Sequence, residues 1–184
     1  MGATQVLAAE DVSEPWHLSV YGGGSFPKDD EIDNAFTLGA RVTYEFLKNL
    51  EAGLDISWQQ YEDKFSGTKL GDVNHIPLYA IVKYGIALES LEDQVVPYIL
   101  AGIGLSFWNY DEAISSVSAD SDVSFTGKIG VGADVKINSE ISVFAEGGYF
   151  WADYDLNGSV FGTPVSGTVD VDSAFINGGL RLSF

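Results

Sequence analysis

The sequence predicts an all-β fold, an eight-stranded antiparallel up-and-down transmembrane β-barrel. Three observations predict it. Apolar and polar residues alternate with a period of two along eight segments. The connections between those segments alternate between short and long. On the apolar face the aromatic residues gather at the two ends of the segments, with aliphatic residues between them.

Strand one (16–26) sets Trp16, Leu18, Val20 and Phe26 against His17, Ser19, Tyr21, Gly23 and Ser25. In strand two (35–46) Phe36, Leu38, Ala40, Val42, Tyr44 and Phe46 alternate with Thr37, Gly39, Arg41, Thr43 and Glu45. Strand three (50–61) places Leu50, Ala52, Leu54, Ile56 and Trp58 opposite Glu51, Gly53, Asp55, Ser57 and Gln59. In strand four (75–86) Ile76, Leu78, Ala80, Val82, Tyr84 and Ile86 oppose His75, Tyr79, Lys83 and Gly85. Strand five (95–108) is the least decided. Ile99, Ala101, Ile103, Leu105 and Phe107 form its apolar face, against Tyr98, Leu100, Gly102, Gly104 and Ser106. Strand six (123–137) has Phe125, Ile129, Val131, Ala133, Val135 and Ile137 on one face and Thr126, Lys128, Gly130, Gly132, Asp134 and Lys136 on the other. Strand seven (141–152) sets Ile141, Val143, Ala145, Tyr149 and Trp151 against Ser142, Glu146 and Gly148. Strand eight (172–184) sets Ala174, Ile176, Leu180, Leu182 and Phe184 against Asn177, Gly179, Arg181 and Ser183.

Three connections are short, at Lys48-Asn49, 87–94 and 138–140. Four are longer and polar, at 27–34, 62–73, 109–122 and 154–170. Short turns on one rim and long loops on the other are the outer-membrane pattern, with both termini in the periplasm and the long loops outside the cell. The loops carry much of the acid, as in Asp29, Asp30, Glu31 and Asp33, and in Asp111, Glu112, Asp120 and Asp122.

A soluble barrel also alternates, with its apolar face inward. The placing of the aromatics argues for the inverted arrangement. Trp16, Tyr44, Phe46, Tyr84 and Phe184 fall at the periplasmic rim, while Phe26, Phe36, Trp58, Phe107, Phe125, Tyr149 and Trp151 fall at the outer rim. Two aromatic girdles around an aliphatic band match the two membrane interfaces. Strands of about 12 residues, tilted by ~40°, rise ~30 Å, enough to cross an apolar band of ~25 Å. The polar face also balances its charge. It holds Arg41, Lys83, Lys128, Lys136 and Arg181 against Glu45, Glu51, Asp55, Asp134 and Glu146, although the whole chain stands at −18. A narrow interior demands that balance, because an unpaired buried charge is costly. With a turn at Leu47-Lys48-Asn49, Phe46 faces Leu50, Arg41 faces Asp55 and Glu45 faces Glu51.

The 184 residues suit one domain. No run approaches the ~18–20 apolar residues of a membrane-spanning helix. Cysteine is absent, which excludes disulfides and thiolate metal sites. The acidic excess argues against nucleic acid as a partner, since neutralising phosphates needs Lys and Arg. Residues 1–14 read as a leader remnant or a flexible N-terminal arm, and 15–184 as the barrel.

In this setting the chain resembles the small eight-stranded outer-membrane barrels that include OmpW, OmpX and the opacity proteins. Residues 96–104, Val-Pro-Tyr-Ile-Leu-Ala-Gly-Ile-Gly, are similar to the Pro-Tyr-x-x-x-Gly-x-Gly stretch of the OmpW and opacity groups. The final Leu180-Arg181-Leu182-Ser183-Phe184 resembles the family's C-terminal assembly signal. The resemblance implies a Gram-negative outer membrane with its lipid and lipopolysaccharide, recognition by the barrel assembly machinery, and for an OmpW-like porin a narrow channel for small or apolar solutes.

No catalytic, cofactor or metal site is expected. His17-Leu18-Ser19 has the His-x-Ser spacing of an outer-membrane lipid A deacylase, but here the pair faces inward on the first strand. His75 reads as a polar residue of the outer rim, with no second histidine beside it. The acidic loops lack Asp-x-Asp-x-Asp-Gly spacing. Gly22-Gly23-Gly24 reads as a bend or bulge. The expectation is a non-enzymatic surface barrel with a polar, charge-filled interior and a structural or interaction role, with a surface ligand meeting the acidic loops. A narrow channel is the alternative, and a lipid-modifying enzyme a third class.

Overall fold

A computed structural model describes residues 15–28, 34–65, 68–86, 94–112, 117–119, 122–160, 163–170 and 172–184, with side chains described over 15–28, 34–61, 74–86, 94–109, 123–152 and 172–184. The elements are β1 (Trp16–Pro27), β2 (Ala35–Leu47), β3 (Leu50–Phe65), β4 (Thr68–Gly85), β5 (Val95–Glu112), β6 (Val117–Ala119), β7 (Asp122–Lys136), β8 (Ile141–Val160), β9 (Thr163–Asp170) and β10 (Ser173–Ser183). β10, β1, β2, β3, β4, β5, β7 and β8 pair in that order, and β8 pairs back to β10, so eight antiparallel strands close on themselves. The seam between first and last strand runs without a shift from His17–Ser183 to Pro27–Ser173. Trp16 and Phe184 extend it by exchanging backbone hydrogen bonds of 3.1 and 3.0 Å. Closure leaves the barrel no unpaired edge, which a lipid environment requires of any sheet.

The rim that carries Trp16 and Phe184 also carries the three short turns; it is called here the terminal rim, and the opposite one the hairpin rim. Toward the hairpin rim the strands outrun their expected ends. Residues 62–65 and 68–73 continue β3 and β4 as a paired hairpin, 109–112 continue β5, and 153–160 pair with β9. β6, inside the expected loop 109–122, pairs with the far end of β8. Much of what reads as loop is therefore strand. Alternation marks a strand only where its two faces meet different surroundings. Where both faces meet water the pattern fades, while backbone pairing continues. Residues 29–33, with the acidic Asp29, Asp30, Glu31 and Asp33, and Asp120 lie outside the described residues, as do 1–14 and 87–93.

Two local expectations are corrected. Gly22, Gly23 and Gly24 pair in unbroken register with β2 and β10, so they form no bulge. A Cβ on Gly23 would instead meet the main chain of Ile176 and Asn177, and glycine permits that close approach. Phe46 does not pair with Leu50. The register shifts between Glu45 and Leu47, Leu47 pairs Leu50, and Phe46 is left as an extra, outward-facing residue. The turn closes through Asn49 in the left-handed region at φ 64°. Glu45 Oε1 accepts a hydrogen bond of 2.6 Å from the Asn49 amide. A β-branched side chain is strained at that φ. We expect Asn49→Val to lower unfolding stability in micelles by about 1–2 kcal/mol, with Asn49→Gly close to neutral in the same urea titration.

Candidate functional site: the barrel interior

The alternation sorts the side chains onto two faces. The outward face exposes Ile103, Val131 and Ile176, each at least 60% accessible, while Asp55 on the other face is at 0%. The aromatics expected in the girdles, Trp16, Phe26, Phe36, Tyr44, Phe46, Trp58, Tyr84, Phe107, Phe125, Trp151 and Phe184, are exposed, and Tyr149 is half-buried with its hydroxyl 2.9 Å from Asp172. Strand five is settled too. Tyr98, Leu100 and Ser106 point inward and Ile99, Ile103 and Leu105 outward.

Eight of the ten expected interior charges, Arg41, Glu51, Asp55, Lys83, Lys128, Asp134, Glu146 and Arg181, are buried. They form two rings, each of two cations and two carboxylates. Near the terminal rim, Lys83 Nζ lies 2.6 Å from Asp134 and 3.7 Å from Glu51. Arg181 lies 2.7 Å from Glu51 and 3.5 Å from Asp134. Thr43 donates to the second oxygen of Glu51 at 2.6 Å. Above it, Arg41 donates through Nε to Asp55 at 2.9 Å and through both terminal nitrogens to Glu146 at 2.9 and 2.8 Å. The Arg41–Asp55 contact is the one expected from the register, and those two residues do sit opposite each other. Lys128 reaches Asp55 at 2.8 Å. The Tyr21 and Tyr98 hydroxyls donate to Asp55 and Glu146 at 2.5 and 3.0 Å.

The Arg41–Asp55 and Lys83–Glu51 pairs join neighbouring strands. Glu51 and Arg181 come from β3 and β10, Asp55 and Lys128 from β3 and β7, Arg41 and Glu146 from β2 and β8. Those bonds cross the bore, so the bore is occupied at both levels. Tyr98 links the rings, with Lys83 Nζ 4.1 Å from its ring centre. Interior glycines make room for these rings: a Cβ on Gly39 would strike the ring of Tyr21, and one on Gly132 that of Tyr98.

Two of the ten charges lie elsewhere. Lys136 is exposed, because its strand ends there and the side chain has left the bore for the terminal rim. Glu45 is only half-buried. It stands opposite Glu51, as the register requires, but each has its own cationic or donor partners. Glu51 takes Lys83 and Arg181, whereas Glu45 takes the Asn49 amide and His17 Nε2 at 3.4 Å. His17 is buried and meets the hydroxyl of Ser183 at 2.9 Å, across the seam.

Above the second ring the lumen turns aromatic. Tyr61, Trp108, Phe150 and Phe175 are buried together with Ala35 and Ala152. His75, expected at the rim, is fully buried in this layer. Its ring stacks on Trp108 at 3.8 Å and 7°. Gln59 Oε1 accepts from the Tyr61 hydroxyl at 2.5 Å and lies 3.1 Å from His75 Nδ1, while Nε2 lies 2.8 Å from the Ser106 hydroxyl. Since the amide oxygen only accepts, Nδ1 carries a proton, and in the neutral ring Ser106 then donates to Nε2. Between this layer and the second ring, a polar pocket of about 10 Å³, bounded by Thr37, Gln59, Lys128 and Asn177 among others, is no larger than one water. Tyr61, Trp108, Phe144, Phe150 and Phe175 are inward residues that the contrast of apolar and polar faces does not place. Their even spacing with Gln59, Ser106, Glu146 and Asn177 was the available signal. Among the described residues no three His, Asp or Glu side chains converge as a metal site.

A closed antiparallel barrel with an apolar outer wall, two aromatic girdles and ion pairs inside defines a β-barrel protein of the outer-membrane class. The chain belongs to the outer membrane protein beta-barrel domain family, whose model matches residues 1–182. Among solved structures it is similar to the outer membrane protein OprG of Pseudomonas aeruginosa, at 18% identity and a TM-score of 0.68, covering 96% of this chain and 99% of that one. Neisserial surface protein A matches at 14% identity and a TM-score of 0.64, over 92% of this chain and 97% of that one. Outer membrane protein W of E. coli matches at 18% and 0.59, over 95% and 100%. No curated protein sequence matches the chain. At these identities the likeness carries the fold.

The rings make a direct energetic expectation. Arg41→Met leaves Glu146 and part of Asp55 buried without their cation and should cost about 3–5 kcal/mol. Arg41→Met combined with Glu146→Gln removes charge of both signs and should recover a large part of that loss, read from urea unfolding of the micelle-folded barrel.

Proposed function

We propose that this is a non-enzymatic surface barrel whose lumen is filled and closed to hydrated solutes, and whose role is structural or interactive. The observation that supports the reading is the crossing of the bore by two neutral ion-pair rings beneath a packed aromatic layer. A hydrated ion moving along the axis would have to break buried ion pairs such as Arg181–Glu51 and Arg41–Glu146, and the second leaves Glu146 without its bonded cation. In this reading the terminal rim faces the periplasm and the hairpin rim faces outward. The acidic residues Asp29, Asp30, Glu31, Asp33, Asp111, Glu112, Asp120 and Asp122 are then the ones a surface ligand would meet, and the girdles sit among lipid and lipopolysaccharide.

A planar-bilayer recording on the purified barrel tests closure. We expect a flat trace. Unitary steps would replace this reading with a narrow channel for small or apolar solutes. Orientation is read separately. The chain has no cysteine, so a Ser115→Cys variant carries one thiol, and a membrane-impermeant maleimide should label it on intact cells. Labelling only after lysis would reverse the orientation.

Phe184 is the proposed mark for the assembly machinery. It is 64% exposed, yet its main chain pairs with Trp16 across the seam. We expect Phe184→Ser to reduce that surface labelling sharply, while refolding of the purified chain into detergent is only mildly impaired. Undiminished labelling would make Phe184 a passive tail residue.

A further inference from the structure

The polar pocket of about 10 Å³ inside the barrel lies between Lys128 of the second ring and Phe150 and Phe175 of the aromatic layer. Thr37, Ser57, Gln59 and Asn177 bring polar groups to its wall. The register explains part of the room. Gly23 pairs with Thr37 on one side and with Asn177 on the other, so the middle of that row carries no side chain. Two amides on the wall are each half engaged. Gln59 Oε1 accepts from Tyr61 and lies 3.1 Å from His75 Nδ1, which leaves its amino group for the pocket. Asn177 donates through Nδ2 to Glu146 at 3.3 Å, while its Oδ1 is buried with no donor among the described residues. Lys128 Nζ gives one hydrogen to Asp55 at 2.8 Å and has two more. Near it stand the ring centres of Tyr79 and Phe175, at 4.9 and 5.6 Å.

We propose that this pocket is a binding site for one water molecule, which accepts from Lys128 or Gln59 and donates to Asn177 Oδ1 and to a neighbouring hydroxyl. The space matches a single water, and the wall presents both donors and acceptors, as a buried water needs. The same wall selects against other occupants. A cation would meet the Lys128 ammonium and the Gln59 amino group. An anion would meet the Asn177 oxygen, and either ion would unbalance a ring that is neutral as it stands. An apolar group would leave Asn177 Oδ1 buried without a bond. The water joins the second ring to the aromatic layer. It carries the chain of bonds from Asp55 and Lys128 through Gln59 to His75 and Tyr61. By engaging the amino group of Gln59 it fixes which way that amide faces, and the amide oxygen in turn holds the proton of His75 on Nδ1. The site rests on the described interior alone, and not on the orientation or the role proposed above.

A crystal structure of the detergent-solubilised barrel, at a resolution that shows ordered water, tests the site, together with matched crystals soaked in rubidium bromide. We expect one density peak within hydrogen-bond reach of Asn177 Oδ1 and of Lys128 Nζ or Gln59 Nε2, with no anomalous signal from either soaked ion. In Asn177→Leu, whose side chain has a similar shape but accepts no hydrogen bond, we expect that peak to be lost. No density in the wild-type pocket, an anomalous peak within it, or a water retained in place in Asn177→Leu would overturn the proposal. The wild-type crystals alone decide occupancy, so the test stands even where the variant does not fold.

Discussion

Everything inside this barrel follows from the need to neutralise charge where water cannot follow. Eight strands enclose a bore that side chains just fill. Each ionised group placed there loses hydration worth several kcal/mol. The protein meets that loss by arranging Arg41, Lys128, Asp55 and Glu146 in one ring and Lys83, Arg181, Glu51 and Asp134 in another, with bonds of 2.6–2.9 Å making most of the links. Tyr21, Tyr98 and Thr43 take up carboxylate lone pairs that the cations leave. A chain at −18 overall has a neutral set of eight at its centre.

The same constraint ties the interior to the wall. Bonds such as Arg181–Glu51 and Lys128–Asp55 span strands that do not touch, and so they brace the barrel across its diameter. They act only while the strand register holds, since a slip of one residue would turn every charge into the lipid. The bulge at Phe46 and the left-handed Asn49 absorb the turn geometry locally and leave Arg41 opposite Asp55. Glycines on the inner face let the rings of Tyr21 and Tyr98 lie flat over neighbouring strands. On the outer face, a glycine at 147 leaves a dip in the apolar wall.

Most of the fold was legible in the sequence because a membrane barrel writes its two solvents into alternate residues. The strand positions, the inward direction of the eight buried charges, the girdles and the Arg41–Asp55 pairing could all be read from period two and one turn. What failed did so where that contrast weakens. Toward the hairpin rim the alternation fades along β3, β4, β5 and β8 while the backbone pairing goes on, so paired strands read as loops. At the ends of β2 and β7 the bore opens, so Glu45 and Lys136 share the interior's parity without its burial.

The sequence by itself determined which residues face lipid and which face the bore, since that depends only on position along a strand. It could not say which residues meet across the bore, because contacts such as Glu51–Arg181 join positions 130 apart and depend on closure and tilt. Nor could it show that Trp108, His75, Tyr61, Phe150 and Phe175 gather into one layer. Apolar residues on a polar face look like exceptions one strand at a time. Only when eight strands bring them to the same height do they become a packed plug.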